Sequence, residues 1–278
     1  MAGEKNMSFL IQNNKLLKYT DEEEPPNVVA VPQGVTAIGD YAFSHTSPAE
    51  VVIPHGVTSI GMMAFEGCFE LSRVELPETI SYIGRGAFQY CRRLADMTIP
   101  KKTVRLNDKC FYYCSSLKTI TLHEQMIFGT DVFDGCGEVE NLNIGSVRLH
   151  SKALRAAVKV DQACVEKLVR SVRYGSVPEV HHAAVKAQAA AEIFFAGGSE
   201  SAKSYLKRNA LSVFKYLADD GRADLLLKLA GESDIVSCDI DALIEAAIAA
   251  EQHEVYIMLA DLRHGTMPCE SLSDRFAL

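Results

Sequence analysis

The chain has 278 residues, 48% of them hydrophobic and 23% charged, which is enough apolar material for continuous cores and too much for a disordered chain. Its formal net charge of −8 lacks the basic excess of a nucleic-acid binder, and no run reaches the roughly 18 uninterrupted apolar residues of a membrane helix. Residues 1–145 carry 12 basic and 18 acidic side chains, net −6, whereas residues 146–278 carry 16 and 18, net −2, so neither half is a polybasic surface.

The first twenty residues, MAGEKNMSFLIQNNKLLKYT, contain no apolar core of a secretory leader. The expectation is therefore a cytoplasmic protein whose eight cysteines stay as thiols in a reducing compartment. Asp21–Glu24 before Pro25 and Pro26 reads as a solvated acidic loop.

From Val28 the sequence repeats. Phe43, Phe65, Phe88, Phe111 and Phe133 lie 22, 23, 23 and 22 residues apart, and a fixed period of 20–30 residues marks a solenoid. Each unit opens with an apolar-x-apolar strand near Val28, Val51, Val74, Met97 and Ile120, and Leu142–Ile144 forms a sixth. Pro32, Pro54, Pro77 and Pro100 end these strands, because proline cannot donate to a ladder. Gly39, Gly61, Gly84 and Gly129 follow a second extended run, where the expectation is a sharp turn at positive φ; Asn107 stands once in that column, asparagine being the next best tolerated there. A small residue precedes each phenylalanine, and the ring is expected to stack in the coil interior. A column of Thr46, Cys68, Cys91, Cys114 and Cys136 follows, then Ala49, Leu71, Leu94, Leu117 and Val139.

These phrases, IPHGVTSIGMMAFEGCFEL at 53–71 above all, resemble the BspA-like leucine-rich repeats found in many bacterial and some protozoal proteins. The resemblance covers residues 28–145, and FLIQNNKLLKYT at 9–20 is similar to the cap hairpin that leads into such repeats. The first repeat lacks the cysteine and leucine, and the fifth carries His123 for proline. The resemblance implies a solenoid used as a binding scaffold, in adhesion or other interaction roles.

The cysteine column invites a zinc reading that geometry rejects. Equivalent residues of neighbouring coils stand about 4.8 Å apart, so four thiols form a line of roughly 14 Å, whereas tetrahedral zinc holds each sulfur within about 2.3 Å. The thiols are read as packing, with weak S–H donors to loop carbonyls.

On the opening strands the residues that alternate with the core face outward: Glu50/Val52, Arg73/Glu75, Asp96/Thr98, Thr119/Thr121 and Asn141/Asn143. Glu50, Arg73 and Asp96 are expected to form an acid–base–acid row, and the ten positions together are the candidate interaction face, since solenoids bind along extended faces. Phe69 is a candidate exposed apolar spot. Arg92-Arg93 and Lys101-Lys102 make a basic spot too small for a nucleic-acid footprint.

Beyond Gly145 an alanine-rich helical pattern takes over. Residues 151–172 read as an amphipathic helix, interrupted by Tyr174-Gly175 and Pro178. A second helix is expected from Glu179 to Phe195 and a third from Ser199 or Ser201 to Asp220-Gly221, with shorter ones near 222–231, 240–251 and 253–263. FKYLADDGRADLLLKLA (214–230) aligns with IEAAIAAEQHEVYIMLA (244–260) at a spacing of 30. The phrase is similar to ankyrin-type helix pairs, although a helical bundle covering the open strand at 142–144 fits almost as well. His181-His182, placed on the second helix, point about 100° apart and make a poor metal pair, and His253-Glu254 lacks the second histidine of a zinc-protease motif.

The expected architecture is an α+β repeat protein. It has a cap hairpin and acidic loop (1–27), a leucine-rich-repeat β-solenoid with a parallel sheet and about five repeats (28–145), an all-α helical repeat or bundle domain (146–267) and a tail (268–278). No nucleophile–base pair or phosphate loop is present, and the reading is a non-enzymatic scaffold for a protein partner, without cofactor, metal, nucleic acid or membrane insertion. The alternative is a cell-surface adhesin or host-factor-binding protein of the leucine-rich-repeat type.

Overall fold

Alternation in the phrase apolar-x-apolar, followed at once by proline, allows each coil only a three- or four-residue strand before the chain must turn. The computed structural model describes residues 8–21, 27–150, 154, 162–236 and 240–264, and its contacts divide the chain into two units, 1–173 and 174–278. In the first unit the opening strands are β3 (Val28–Ala30), β5 (Glu50–Val52), β7 (Arg73–Glu75), β9 (Asp96–Thr98), β11 (Thr119–Leu122) and β13 (Asn141–Ile144). The second run of each coil makes β4 (Ala37–Ile38), β6 (Ser59–Ile60), β8 (Tyr82–Ile83), β10 (Arg105–Leu106) and β12 (Ile127–Phe128). All coil-to-coil pairings are parallel, and β4 to β12 extend a seven-stranded sheet that starts with the hairpin of β1 (Ser8–Gln12) and β2 (Lys15–Thr20).

Phe43, Phe65, Phe88, Phe111 and Phe133 are fully buried. Their rings stack with centroid spacings of 4.9, 5.2, 5.5 and 6.0 Å and interplanar angles no larger than 13°. Tyr19 of the hairpin extends the column, 5.0 Å from Phe43. The cysteine column fastens the coils to one another. Phe65 O accepts both the Cys68 N–H of its own coil (3.3 Å) and the Cys91 Sγ–H of the next (3.1 Å). Cys68, Cys114 and Cys136 repeat the contact to Phe43, Phe88 and Phe111 at 3.1 Å each. Thr46 Oγ1 takes the same role within its own coil, 2.6 Å from Phe43 O. Burial raises these thiols, Cys68 and Cys136 to about 12.

The glycine column works differently from the sequence expectation. None of Gly39, Gly61, Gly84 and Gly129 has positive φ; a Cβ on Gly84 would instead lie 2.6 Å from the Gly61 carbonyl carbon, so the column is glycine because the coil below leaves no room. Positive φ is used two residues before and after each phenylalanine, as at Met63 (51°) and Gly67 (66°) around Phe65. That conformation aims alternate N–H groups at the next coil: Met63 to Arg85 O (2.9 Å), Phe65 to Ala87 O (2.8 Å) and Gly67 to Gln89 O (2.9 Å). The phenylalanine arc is thus a third hydrogen-bonded side of the solenoid.

The C-terminal end is closed. β14 (Val147–His150), a strand where the sequence shows no period, pairs antiparallel with β13 and covers the edge that the helices were expected to cover. Helix α1 (Gln162–Tyr174) closes the last coil, Gln162 donating to Gly129 O (2.7 Å) and accepting from Val132 N–H (2.6 Å), and Arg173 donating to Glu124 O (2.6 Å). The N-terminal part of the predicted 151–172 helix, the loop at 22–26 and the tail from 265 lie outside the described residues.

In the second unit α2 (Ala183–Gly197) starts after His182, so the His181-His182 pair precedes the helix that was expected to carry it. Ser199 caps α3 (Glu200–Arg208), accepting from Ala202 N–H at 3.3 Å. The predicted third helix breaks at Asn209, whose φ of −122° leaves the helical region, and resumes as α4 (Ala210–Asp219). Then follow α5 (Ala223–Ala230), the short α6 (Ser233–Val236), α7 (Ile240–Ala249) and α8 (His253–Arg263). The pairs α4–α5 and α7–α8 start 30 residues apart at each helix, with the same turn: positive φ at Gly221 (71°) and Glu251 (56°), Arg222 N–H to Leu217 O (2.8 Å) and Gln252 N–H to Ala247 O (2.9 Å). Arg222 is the exception to the symmetry. Burial disfavours its charge, but hydrogen bonds to Asp224 and Glu192 outweigh that and raise its pKa, and the Arg222–Glu192 pair (2.6 Å) is nearly buried.

Two outcomes follow from this packing. Cys91→Ala removes the second donor from Phe65 O and should cost about 1 kcal/mol in urea unfolding, a typical value for one buried hydrogen bond; Ellman's reagent should find the ladder thiols unreactive in the native protein and reactive in denaturant. Arg222→Ala strands a buried Glu192 carboxylate and should destabilise the helical unit by about 3–5 kcal/mol in thermal unfolding.

Candidate functional site

The register places the sequence-nominated residues on one outward face. Glu50 is opposite Arg73 and Val52 opposite Glu75, while Asp96 is opposite Thr119, which is opposite Asn141; Thr98, Thr121 and Asn143 form the parallel row. The two groups do not join. β3-β5-β7 is one sheet and β9-β11-β13-β14 another, with no ladder between β7 and β9. Arg73 N–H reaches Ala49 O (3.3 Å) and Thr119 N–H reaches Ala95 O (3.1 Å), but among the described residues Asp96 N–H has no such bond to Ser72 O. The expected acid–base–acid row is corrected accordingly. Arg73 pairs with Glu75 on its own strand and with Glu50 at 3.9 Å, and Asp96 has no ion-pair partner among the described residues.

Asn107 lies on the same pair of coils as this seam. It occupies the column in which a Cβ on the equivalent glycines would meet the coil below. At the other positions the glycine N–H bonds the preceding coil, as in Gly61 to Ile38 O and Gly84 to Ile60 O, both 2.8 Å. At Asn107 the side-chain Nδ2 makes that bond to Ile83 O at 2.6 Å, with Oδ1 accepting from Arg105 Nε at 3.2 Å. The β8–β10 pairing shrinks to the single pair Ile83–Leu106, whereas β6–β8 has two. On the phenylalanine arc the same coils stay bonded, Phe88 N–H to Cys110 O at 2.9 Å and Tyr90 N–H to Tyr112 O at 2.8 Å. The two coils are joined along the arc and open on the strand face.

The opening is a polar cleft of about 580 Å³, lined by Ser72, Arg73 and Glu75 on one side and Asp96, Met97 and Thr98 on the other. That volume is within the ~300–1,000 Å³ range of ligand clefts. The remaining nominated residues are spent on structure: Asn143 Nδ2 donates to Thr121 Oγ1 (3.1 Å), Asn141 Nδ2 to Thr119 Oγ1 (3.4 Å), and His150 of β14 bonds Asn141 Oδ1. Phe69 is 46% exposed, with the Arg92 guanidinium 5.3 Å over its ring, and Arg93 is neutralised by Glu70. Among the described residues no three His, Cys, Asp or Glu side chains are grouped to hold a metal ion.

Two features escaped the sequence. Asn107 was visible as a break in the glycine column, but positive-φ tolerance concealed its place at the seam. A surface cluster of Tyr90, Tyr112 and Tyr113, ring centroids 4.7–5.8 Å apart, has Lys109 5.0 Å above the Tyr112 ring; the doublet Tyr112-Tyr113 was its signal.

Six copies of the BspA type leucine rich repeat region match residues 36–155. A leucine-rich repeat protein from Bacteroides capillosus is 30% identical over 43% of this chain and 95% of its own, with a TM-score of 0.36. The chain belongs to the BspA-type leucine-rich repeat family. A leucine rich cell surface protein from Faecalibacterium prausnitzii is similar at 24% identity over 57% of this chain, TM-score 0.46, and this chain spans 42% of that protein's length. A leucine-rich repeat protein from Bacteroides ovatus is similar at 23% identity over 53% of this chain and 47% of its own, TM-score 0.39. No curated protein matches the chain. No helix among the described residues is long and apolar enough to cross a membrane.

Replacing Asn107 tests the seam directly. Asn107→Gly should let the fourth coil settle onto the third, gaining about 1 kcal/mol of stability as ladder bonds form and slowing hydrogen exchange at the Asp96 and Thr98 amides. Unchanged exchange there would remove Asn107 as the cause.

Proposed function

We propose that this protein is a non-catalytic protein–protein interaction scaffold that docks its partner on the outward strand face, centred on the cleft between β7 and β9. The observation that supports this reading is the cleft itself: an open polar concavity in the outward face of a leucine-rich-repeat solenoid, where the face is otherwise hydrogen-bonded to itself. Arg73, Glu75, Asp96 and Thr98 stand at its rim, and Glu50 and Val52 extend it toward the N-terminus. Interaction requires no cofactor or metal, and the acidic surroundings disfavour nucleic acid. The helical unit adds a second repeat array, similar to ankyrin-type helix pairs in its 30-residue offset and repeated turn. The buried thiol ladder is compatible with a cytoplasmic setting, where such thiols stay reduced. A second reading, an adhesin at a cell surface, draws on the description of the Faecalibacterium protein as a cell surface protein; cell fractionation separates the two.

The docking face is tested by reversing an acidic side chain at the cleft that has no ion-pair partner among the described residues. A photo-cross-linker at Val52 should capture a partner in lysate of the source organism, and Asp96→Lys should reduce that capture severalfold while leaving thermal unfolding unchanged. Capture that ignores Asp96→Lys moves the interface elsewhere.

A further inference from the structure

A parallel sheet that lapses between two central strands exposes backbone groups that a sheet ordinarily satisfies internally. At the seam the donors are the N–H groups of Asp96 and Leu76, and the acceptors are Ser72 O and Thr98 O; the equivalent of the first is bonded in the neighbouring coils, as in Thr119 N–H to Ala95 O at 3.1 Å, and the equivalent of the second in the next, Ile99 N–H to Thr121 O at 2.9 Å. Unlike an edge, these groups face each other across one cleft. Inside the coil the apolar row Val51, Val74, Met97, Ile120 runs past the gap. Outside it, Glu50, Glu75 and Asp96 surround a single cation, Arg73.

Resting on the docking face proposed above, we propose that the seam is a strand-acceptor site: an extended segment of a partner protein adds between β7 and β9 and completes the ladder. Its chemistry follows from the alternation of a strand. One side chain points inward and must be apolar, to join Val74 and Met97. Its neighbours point outward beside Glu75 and Asp96 and are Lys or Arg, which compensate the acidic excess. Asn107 keeps the site open, and the hydrogen-bonded phenylalanine arc acts as the spine about which the two coils spread by the ~4.8 Å that a further strand occupies.

The test uses the full chain and a short fluorescent peptide alternating Lys with Val, with a Glu–Val peptide as control. The Lys–Val peptide should bind saturably by anisotropy and slow exchange at the Asp96 and Leu76 amides, whereas the Glu–Val peptide should not bind. Asn107→Gly, which restores the residue of the other coils, should weaken binding at least about tenfold, an expected loss for several backbone bonds. Binding without amide protection, equal binding of both peptides, or an Asn107→Gly variant that binds as well as the wild type would each overturn the strand-acceptor site. So would self-association of the chain that consumes the same amides without peptide. Partner capture that falls with Asp96→Lys but not with Asn107→Gly leaves the docking face standing and removes only this inference. Peptide binding with partner capture insensitive to Asp96→Lys does the reverse.

Discussion

Every column of this solenoid answers to one distance, the rise from coil to coil that backbone hydrogen bonding demands. At a rise near 4.8 Å each coil must bond to its neighbours along the strands and along the phenylalanine arc at once. Stacked rings tolerate that rise, and the small thiol of the cysteine column reaches the carbonyl of the coil below at 3.1 Å. A glycine is then required wherever one backbone lies directly on another. The chemistry of the columns is therefore steric first and polar second: sulfur serves because it is small, apolar and still able to donate.

The same distance explains where the regular pattern fails. Asn107 stands in a column that is glycine in the other coils, and on that pair of coils the strand face opens while the arc stays bonded. The surface there is left with unused hydrogen-bonding groups. Around those groups the charges are arranged unequally, with three carboxylates to one guanidinium. Function in a repeat protein is expected where a repeat departs from its neighbours, because the repeated positions are committed to holding the coils together.

Much of this was legible before any coordinate. The period of the phenylalanines, the strand alternation and the outward positions of Glu50, Arg73 and Asp96 all follow from local spacing. Residue type alone does not give conformation. Glycine at 39, 61, 84 and 129 suggests positive φ, whereas the positive φ values sit at residues such as Met63, Lys109 and Tyr113, where nothing in the side chain announces them. In the helical half the offset of 30 between 214–230 and 244–260 was legible, but the break at Asn209 and the place of His182 before its helix depend on how neighbouring helices pack.

By itself the sequence determined the repeat, the composition of each column, and which side chains face in or out, since these depend on periodicity along one chain. Only the tertiary structure decided which coils actually meet. Whether a Cβ at position 107 fits is a question about the coil beneath it, some 23 residues away, and whether Arg73 pairs forward to Asp96 or sideways to Glu75 depends on the gap between β7 and β9. The cleft is a property of spacing between coils, and spacing between coils is not written in any one of them.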